Sequence, residues 1–391
     1  MREGIESEGR LLSLDALRGF DMLMIMGVEG VVMGLCAACG WGTDCWLARQ
    51  FQHVEWNGLR FEDTIFPLFL FLAGVSWPFS CARQVEKGRS KGAIALKCVR
   101  RAAILFVLGL VCGGLLRGQV RMGSVLGRIG IAWMFAAFLH LWLRRTWALA
   151  VLAVALPVAY WLLLAFVPAP DALTLVVPEK FAFIREFGTG PFSIVGNLSG
   201  WMDRTFRPGV LISYTGIADN QSMLGYIPAT GTALLGILTG EFVRRTRTTL
   251  ADGRRIGLLL AAAAVLVVLG LTVAHGFGAL SMPINQKLWS TSFTFVVGGY
   301  SVAMFALFHW IVDVCGYVRW TFFFRVIGMN SITIFMAQRF IPFRAISKNL
   351  LGGAAGALPE AWGSVLLSVG TLLVGWLFLY FLYRKNVFLK V

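Results

Sequence analysis

The chain has 391 residues, of which 58% are hydrophobic and 14% charged, and its mean hydropathy is +0.74. A soluble core cannot bury that much apolar surface, so composition excludes the soluble globular and disordered classes and points to a polytopic membrane protein. The formal charge of +15 would suit nucleic acid if it were gathered in one domain. The basic residues are instead spread loop by loop, as membrane topology spreads them, and no nucleic-acid partner is expected.

From the N-terminus, "REGIESEGR" is polar and mixed in charge, and the apolar run behind it has no small-residue cleavage site, which reads as an uncleaved anchor. At about 20 apolar residues per crossing, ten runs are long enough: 19–40, 64–82, 98–116, 123–143, 146–167, 222–242, 256–276, 291–314, 321–341 and 362–383. None alternates apolar and polar residues as barrel strands do. The expected fold is an all-α integral membrane protein of about ten transmembrane helices, one domain over 1–391. Segment 83–101 holds 7 of the 35 Lys and Arg residues. With the basic stretches 144–145, 244–255 and 319–325, it places both termini in the cytoplasm by the positive-inside rule. Segment 41–63 and the long 168–221 loop then face the other side, and a bacterial inner membrane is the expected location.

That loop, rich in Gly, Pro and aromatic residues, is either a lid over a pocket or a tethered cap without chemistry. The seven cysteines are odd in number and scattered. Cys36 and Cys39 form a C-x-x-C, but without the βαβ context of a redox motif. The four histidines have no paired ligands, so no metal is expected. No internal repeat of the transporter kind is visible.

Polar residues inside an apolar chain mark candidate chemistry. Asp15 and Arg18 share a face at the start of the first helix, where a cap and an ion pair explain them equally well. Glu29 lies deep in the same run, either as a proton acceptor or substrate carboxylate, or as a structural carboxylate bonded to another helix. "HVEWNGLRFED" then sets His53 among Glu55, Trp56, Asn57, Glu62 and Asp63. An imidazole there suits a general base or an acyl carrier. The carboxylates can orient it or hold a cation, Trp56 offers a ring to a sugar or to the interface, and Asn57 supplies an amide at a turn. In 83–101, Arg100 and Arg101 can meet the phosphates of a cytoplasmic donor, although topology alone explains them. Arg128, Asn285, Lys287, Trp289 and Asn330 stand at or within membrane runs, as snorkelling cations, interhelical bonds or parts of a polar interior.

Six segments, "RLLSLDALRGFDMLMIM", "HVEWNGLRFEDTIFPLFLFLAG", "VLGRIGIAW", "WMDRTF", "MPINQKLWSTSF" and "FRVIGMNSITIF", together resemble the heparan-α-glucosaminide N-acetyltransferase family and its bacterial relatives. The resemblance implies a membrane enzyme that takes acetyl-CoA from the cytosol and acetylates a terminal glucosamine on the far side. It puts the catalytic histidine at His53, followed by Trp56, Asn57 and Gly58, with the acidic residue of the next helix at Asp63. The family's Asn in the first helix is replaced here by Glu29, so the acceptor or the division of labour with His53 is expected to differ.

The expected site is therefore His53, Glu29, Asn57 and Asp63 for catalysis. Arg18, Arg100, Arg101, Arg128, Asn285, Lys287, Trp289 and Asn330 are expected to hold acetyl-CoA, and Glu55, Trp56, Asp203 and Arg204 the acceptor. Direct transfer and a route through acetyl-histidine both fit. The expected partners are an acyl-CoA, a sugar or glycan acceptor, the lipid bilayer and a second copy of the chain. A secondary transporter that uses Glu29 and His53 as coupling groups is the alternative, and an O-acyltransferase of envelope polysaccharide a third reading.

Overall fold

Three of the apolar runs, and the helix inside the long loop, start just after a residue whose side chain accepts a backbone N–H group that a helix leaves unpaired. Ser90 accepts from Ala93, Ser124 from Gly127, Asn197 from Gly200 and Ser290 from Phe293. The computed structural model describes residues 11–118, 120–143, 145–211 and 216–389. The polar start at 2–10 and residues 212–215 of the long loop lie outside them.

The helices in chain order are α1 (Leu12–Leu23), α2 (Glu29–Ala38), α3 (Trp46–Gln50), α4 (Phe61–Glu86) and α5 (Lys91–Cys112). Then come α6 (Val125–Trp142), α7 (Thr146–Phe166), α8 (Leu198–Phe206), α9 (Tyr226–Thr246) and α10 (Asp252–His275). The chain ends with α11 (Thr291–Phe308), α12 (Thr321–Gly328), α13 (Ser331–Phe340), α14 (Phe343–Gly356) and α15 (Glu360–Arg384). The all-helical reading is borne out. Among the described residues, 8 helical segments are long and apolar enough to cross a membrane. They are α1 continued into α2, α4, α5, α6, α7, α10, α11 with its extension to Val314, and α15.

The other two expected runs take different forms. Run 222–242 is α9, whose threonines and glycines dilute its hydropathy and whose surface is mostly covered by its neighbours α4, α6 and α7. Run 321–341 is split into α12 and α13 around Met329 and Asn330.

Small residues set how closely the central helices approach. A Cβ on Gly236 would strike the carbonyl of Phe71, and one on Gly74 the carbonyl of Ala233, so α4 and α9 touch backbone to backbone. α1 and α12 meet in the same way through Gly19 and Gly328. Helix one is broken at Gly27, whose φ of 123° lies in the region that favours glycine. The wide turn Met24–Val28 makes Glu29 the first residue of α2.

The 168–221 loop folds as a cap with its own apolar core. Val177, Ile184, Ile194 and Ile217 of the cap enclose Trp56 and Leu288 from two interhelical loops.

Candidate functional site

His53 lies in the loop before α4, and the start of that helix holds it. Asp63, the third residue of α4, is fully buried; its Oδ2 accepts from the Arg60 backbone N–H at 3.0 Å. Its Oδ1 lies 2.7 Å from His53 Nδ1. A carboxylate oxygen accepts, so Nδ1 carries the hydrogen and Nε2 is the basic nitrogen. The hydrogen bond to Asp63 raises the His53 pKa above the ordinary histidine value, against burial that lowers it. The His53 side chain remains 54% exposed, so the base is both oriented and reachable. Arg60 closes the turn by donating to the His53 carbonyl at 3.2 Å.

Two distant loops meet beside this pair. Gly58 N–H donates to the Ile284 carbonyl at 2.8 Å, Asn285 Nδ2 donates to Asn57 Oδ1 at 3.2 Å, and Lys287 Nζ donates to the Glu55 carbonyl. Burial lowers the Lys287 pKa. Because the Asn57 carbonyl is already occupied, its side-chain N–H groups are the ones free to donate. Trp289 holds the 283–290 loop down despite a φ of 54°, a backbone conformation costly for a large side chain. Its ring is fully buried against Phe66 and Phe293, its Nε1 donates to Thr232 Oγ1 at 3.1 Å, and the Arg128 guanidinium lies over it at 5.1 Å. Arg128 also donates to the Ser222 carbonyl at 3.1 Å.

These contacts relocate several of the expected donor-binding residues. Arg128, Asn285, Lys287 and Trp289 stand on the His53 side and brace its loops, while Asn330 joins α12 to α13 and donates to the Val387 carbonyl at 3.3 Å. Trp56, expected to offer its ring to a sugar, is 2% exposed and donates its N–H to the Phe192 carbonyl. The cap encloses the ring, so no sugar can stack on it. Asp203 and Arg204 hold the cap together. Asp203 is buried and accepts from Met223 N–H at 2.9 Å, and burial raises its pKa to about 6. Arg204 grips Asp171 and the Ile217 and Val195 carbonyls, and its hydrogen bond lowers the Asp171 pKa. Glu55 contributes its backbone carbonyl to Lys287.

The basic residues build a second feature at the far end of α4. A cavity of about 590 Å3 is lined by Arg83, Lys87, Arg89, Lys97, Arg100 and Arg101, with Ser76, Ser80 and Trp133. Arg101 lies over the Trp133 ring at 4.3 Å. Arg18 is not in the lining; it donates to the Leu72 carbonyl at 3.2 Å and acts electrostatically on Arg101. At 1.5 Å per residue, the 17 residues from Asp63 to Ser80 separate the two features by roughly 25 Å along α4.

The sequence reading passed over Asp21. It is 1% exposed, its Oδ2 has no hydrogen-bond partner among the described residues, and it lies within electrostatic reach of Glu62 and Tyr300. Glu62 has an equally unpartnered buried Oε2 and lies within electrostatic reach of His53, Glu29 and Asp63. The signal was available, since an aspartate inside an apolar run is costly. Glu29 lines a third cavity, between α2 and α15. His309 is structural: its Nδ1 lies 2.8 Å from Asp313 Oδ2, and Asp313 accepts from Leu12 N–H to cap α1.

No protein-family profile matches the chain. Two curated relatives do. Heparan-alpha-glucosaminide N-acetyltransferase of Homo sapiens is 26% identical over a 431-residue alignment that covers 98% of this chain and 60% of the relative. The Mus musculus protein of the same name is 25% identical over 383 residues, 86% of this chain and 55% of its own. The chain thus spans little more than half the length of the relatives it matches, and along nearly all of its own length it resembles heparan-alpha-glucosaminide N-acetyltransferase.

Proposed function

We propose that this integral membrane protein is a transmembrane acetyltransferase, moving an acetyl group from acetyl-CoA to a sugar amine, with His53 as the base. The observation that carries the reading is the His53–Asp63 pair beside Asn57. A buried carboxylate fixes the tautomer of an exposed imidazole, and the Asn57 side chain, four residues on in the same loop, has its carbonyl bonded to Asn285 and its amide hydrogens left to donate. Attack of the amine on the thioester carbonyl forms the new C–N bond as His53 Nε2 takes the amine proton. Asn57 donates to the oxyanion. Collapse breaks the C–S bond, and the proton passes from His53 to the departing CoA thiolate. A two-step route would place the acetyl group on His53 first.

The basic cavity at the other end of α4 suits the phosphates of CoA, because Arg and Lys recognise phosphate by charge-assisted bonds. Proposed topology follows the same axis, with both termini and this cavity in the cytoplasm and His53 under the extracytoplasmic cap. In a bacterial cell this is the inner membrane.

Thiol release from acetyl-CoA, measured against a panel of amino sugars and neutral sugars, tests the reading. Turnover with amino sugars that vanishes in folded His53→Ala supports it, and retained turnover in that variant overturns the assignment of the base. Transfer to neutral sugars alone would identify an O-acyltransferase. Solute flux into proteoliposomes without CoA would identify a transporter, a reading that the buried, unpartnered Asp21 favours.

A further inference from the structure

A cavity of about 500 Å3 opens between α2, the start of α14 and α15. Its lining holds two charged side chains, Glu29 and Arg344, which face the same space without a hydrogen bond or ion pair to each other among the described residues. Gly27, Gly30 and Gly34 line one wall, and the last two let α2 pack closely on Ser368 and Val365 of α15. On the other wall Ser364, Ser368 and Thr371 stand at i, i+4 and i+7, one hydroxyl-bearing face of α15. A smaller recess of about 220 Å3 adjoins it and shares Arg344 and Thr371. Beyond those two the recess is mostly apolar, lined by Met26, Ile334, Ile341 and Phe343, with Gln338 as its one further polar side chain.

The space thus combines a carboxylate and hydroxyls with a guanidinium that is shared with the adjoining, mostly apolar recess. Glu29 acts electrostatically on Glu62, which in turn lies within reach of His53, so the carboxylate end belongs to the neighbourhood of the proposed base. An amine awaiting acetylation is a cation until it loses its proton, and a carboxylate holds it. A guanidinium at the boundary between a polar and an apolar chamber fits a phosphate that joins a polar head to a hydrophobic chain.

Building on the acetyltransferase reading above, we propose that this double cavity is the acceptor site, and that the acceptor is an amino sugar linked through phosphate to an apolar chain. The ammonium sits at Glu29, the sugar hydroxyls meet Ser364, Ser368 and Thr371, the phosphate meets Arg344, and the chain enters the recess.

The test compares kcat/KM for three acceptors, with the purified full chain in detergent and acetyl-CoA as donor: glucosamine, glucosamine 1-phosphate and a decyl phosphodiester of glucosamine. The expected order rises from the first to the third, with about tenfold or more gained on adding the phosphate, the size of a charge-assisted contact. In Arg344→Gln the ratio of phosphorylated to plain acceptor collapses toward one, and Arg344→Lys recovers part of it. Filling the recess with Gly375→Leu removes the gain from the decyl chain while the gain from phosphate persists. Equal kcat/KM for all three acceptors, or an unchanged ratio in folded Arg344→Gln, overturns the proposal. Failure of the wild type to acetylate any of them, glucosamine included, overturns the acetyltransferase reading instead.

Discussion

Asn285 donates its side-chain amide to the side-chain carbonyl of Asn57 at 3.2 Å, across 228 residues of chain. Asn285 is fully buried and its own carbonyl accepts from Leu288 N–H at 2.8 Å. Both of its ends are therefore fixed, and through it so is the rotamer of Asn57. Asn57→Asp replaces the free donor with an acceptor of similar shape. Transfer should fall by roughly 10²–10³-fold in kcat, the loss seen when one oxyanion donor is removed, with KM for acetyl-CoA little changed. A kcat within a few-fold of wild type would rule Asn57 out as that donor.

The His53–Asp63 pair predicts a pH profile. A base must be neutral to work, and Asp63 raises the His53 pKa above its ordinary value near 6.5. Activity is then lost as pH falls through that raised value. Asp63→Asn keeps an oxygen for the Arg60 N–H but removes the charge, so the acid limb moves to lower pH while plateau kcat drops by about 10²–10⁴-fold. The stability side has the opposite sense. A folded pKa raised above the unfolded one gives stability that is present in full below about 6.5 and lost as pH rises through the folded value. The melting temperature of wild type relative to Asp63→Asn should therefore shrink with rising pH across that window. An acid limb at the same pH in both proteins would dissociate Asp63 from the titration of His53.

Much of this arrangement was legible in the sequence, and the reasons are physical. The helical spans are long apolar runs, a signal that needs no partner to read. His53, Asn57 and Asp63 lie within 11 residues and form one local turn, so spacing was enough to group them. Trp56 could not be read correctly, because its burial depends on Phe192 and the cap, 136 residues away. The same holds for Trp289 and Arg128, which the sequence assigns to the acetyl-CoA site and which the fold sets one over the other. The split of α12 from α13 at Met329 and Asn330 interrupts a run that stays apolar, so a hydropathy window does not register it, whereas α9 differs from the spans by the threonines and glycines of its own sequence. Arg344 escaped notice because only the fold brings it to face Glu29.

The basic cavity separates charge that serves topology from charge that serves a ligand. Lys97 and Arg100 line it and are exposed in α5. Replacing both with Gln leaves five other cations in segment 83–101. KM for acetyl-CoA should rise several-fold with kcat largely retained, and the rise should diminish at high salt, where exposed charges are screened. An unchanged KM at low salt would leave these residues to membrane orientation alone.

Gly236 offers a prediction about the fold that carries the site. The backbones of α4 and α9 meet at Gly74, Gly236 and Gly240, and a Cβ on Gly236 would occupy the place of the Phe71 carbonyl. That carbonyl belongs to the ladder of α4, the helix with Asp63 at one end and the basic cavity at the other. Gly236→Val cannot be absorbed by rotating a side chain, because the obstacle is main chain. The helices must separate, at a cost of at least about 1–3 kcal/mol for overpacking and of the close contacts that hold apolar helices together in lipid. Thermal unfolding in detergent should shift down sharply, and transfer should fall even at temperatures where the variant stays folded, because tilting α4 moves Asp63 and His53 relative to Asn57. The control is Gly253→Val on the exposed first turn of α10, where an added Cβ meets nothing within 4 Å. Gly253→Val should retain most of its stability and activity. Equal losses in the two variants would show that contact between α4 and α9 is not what fixes the geometry around His53.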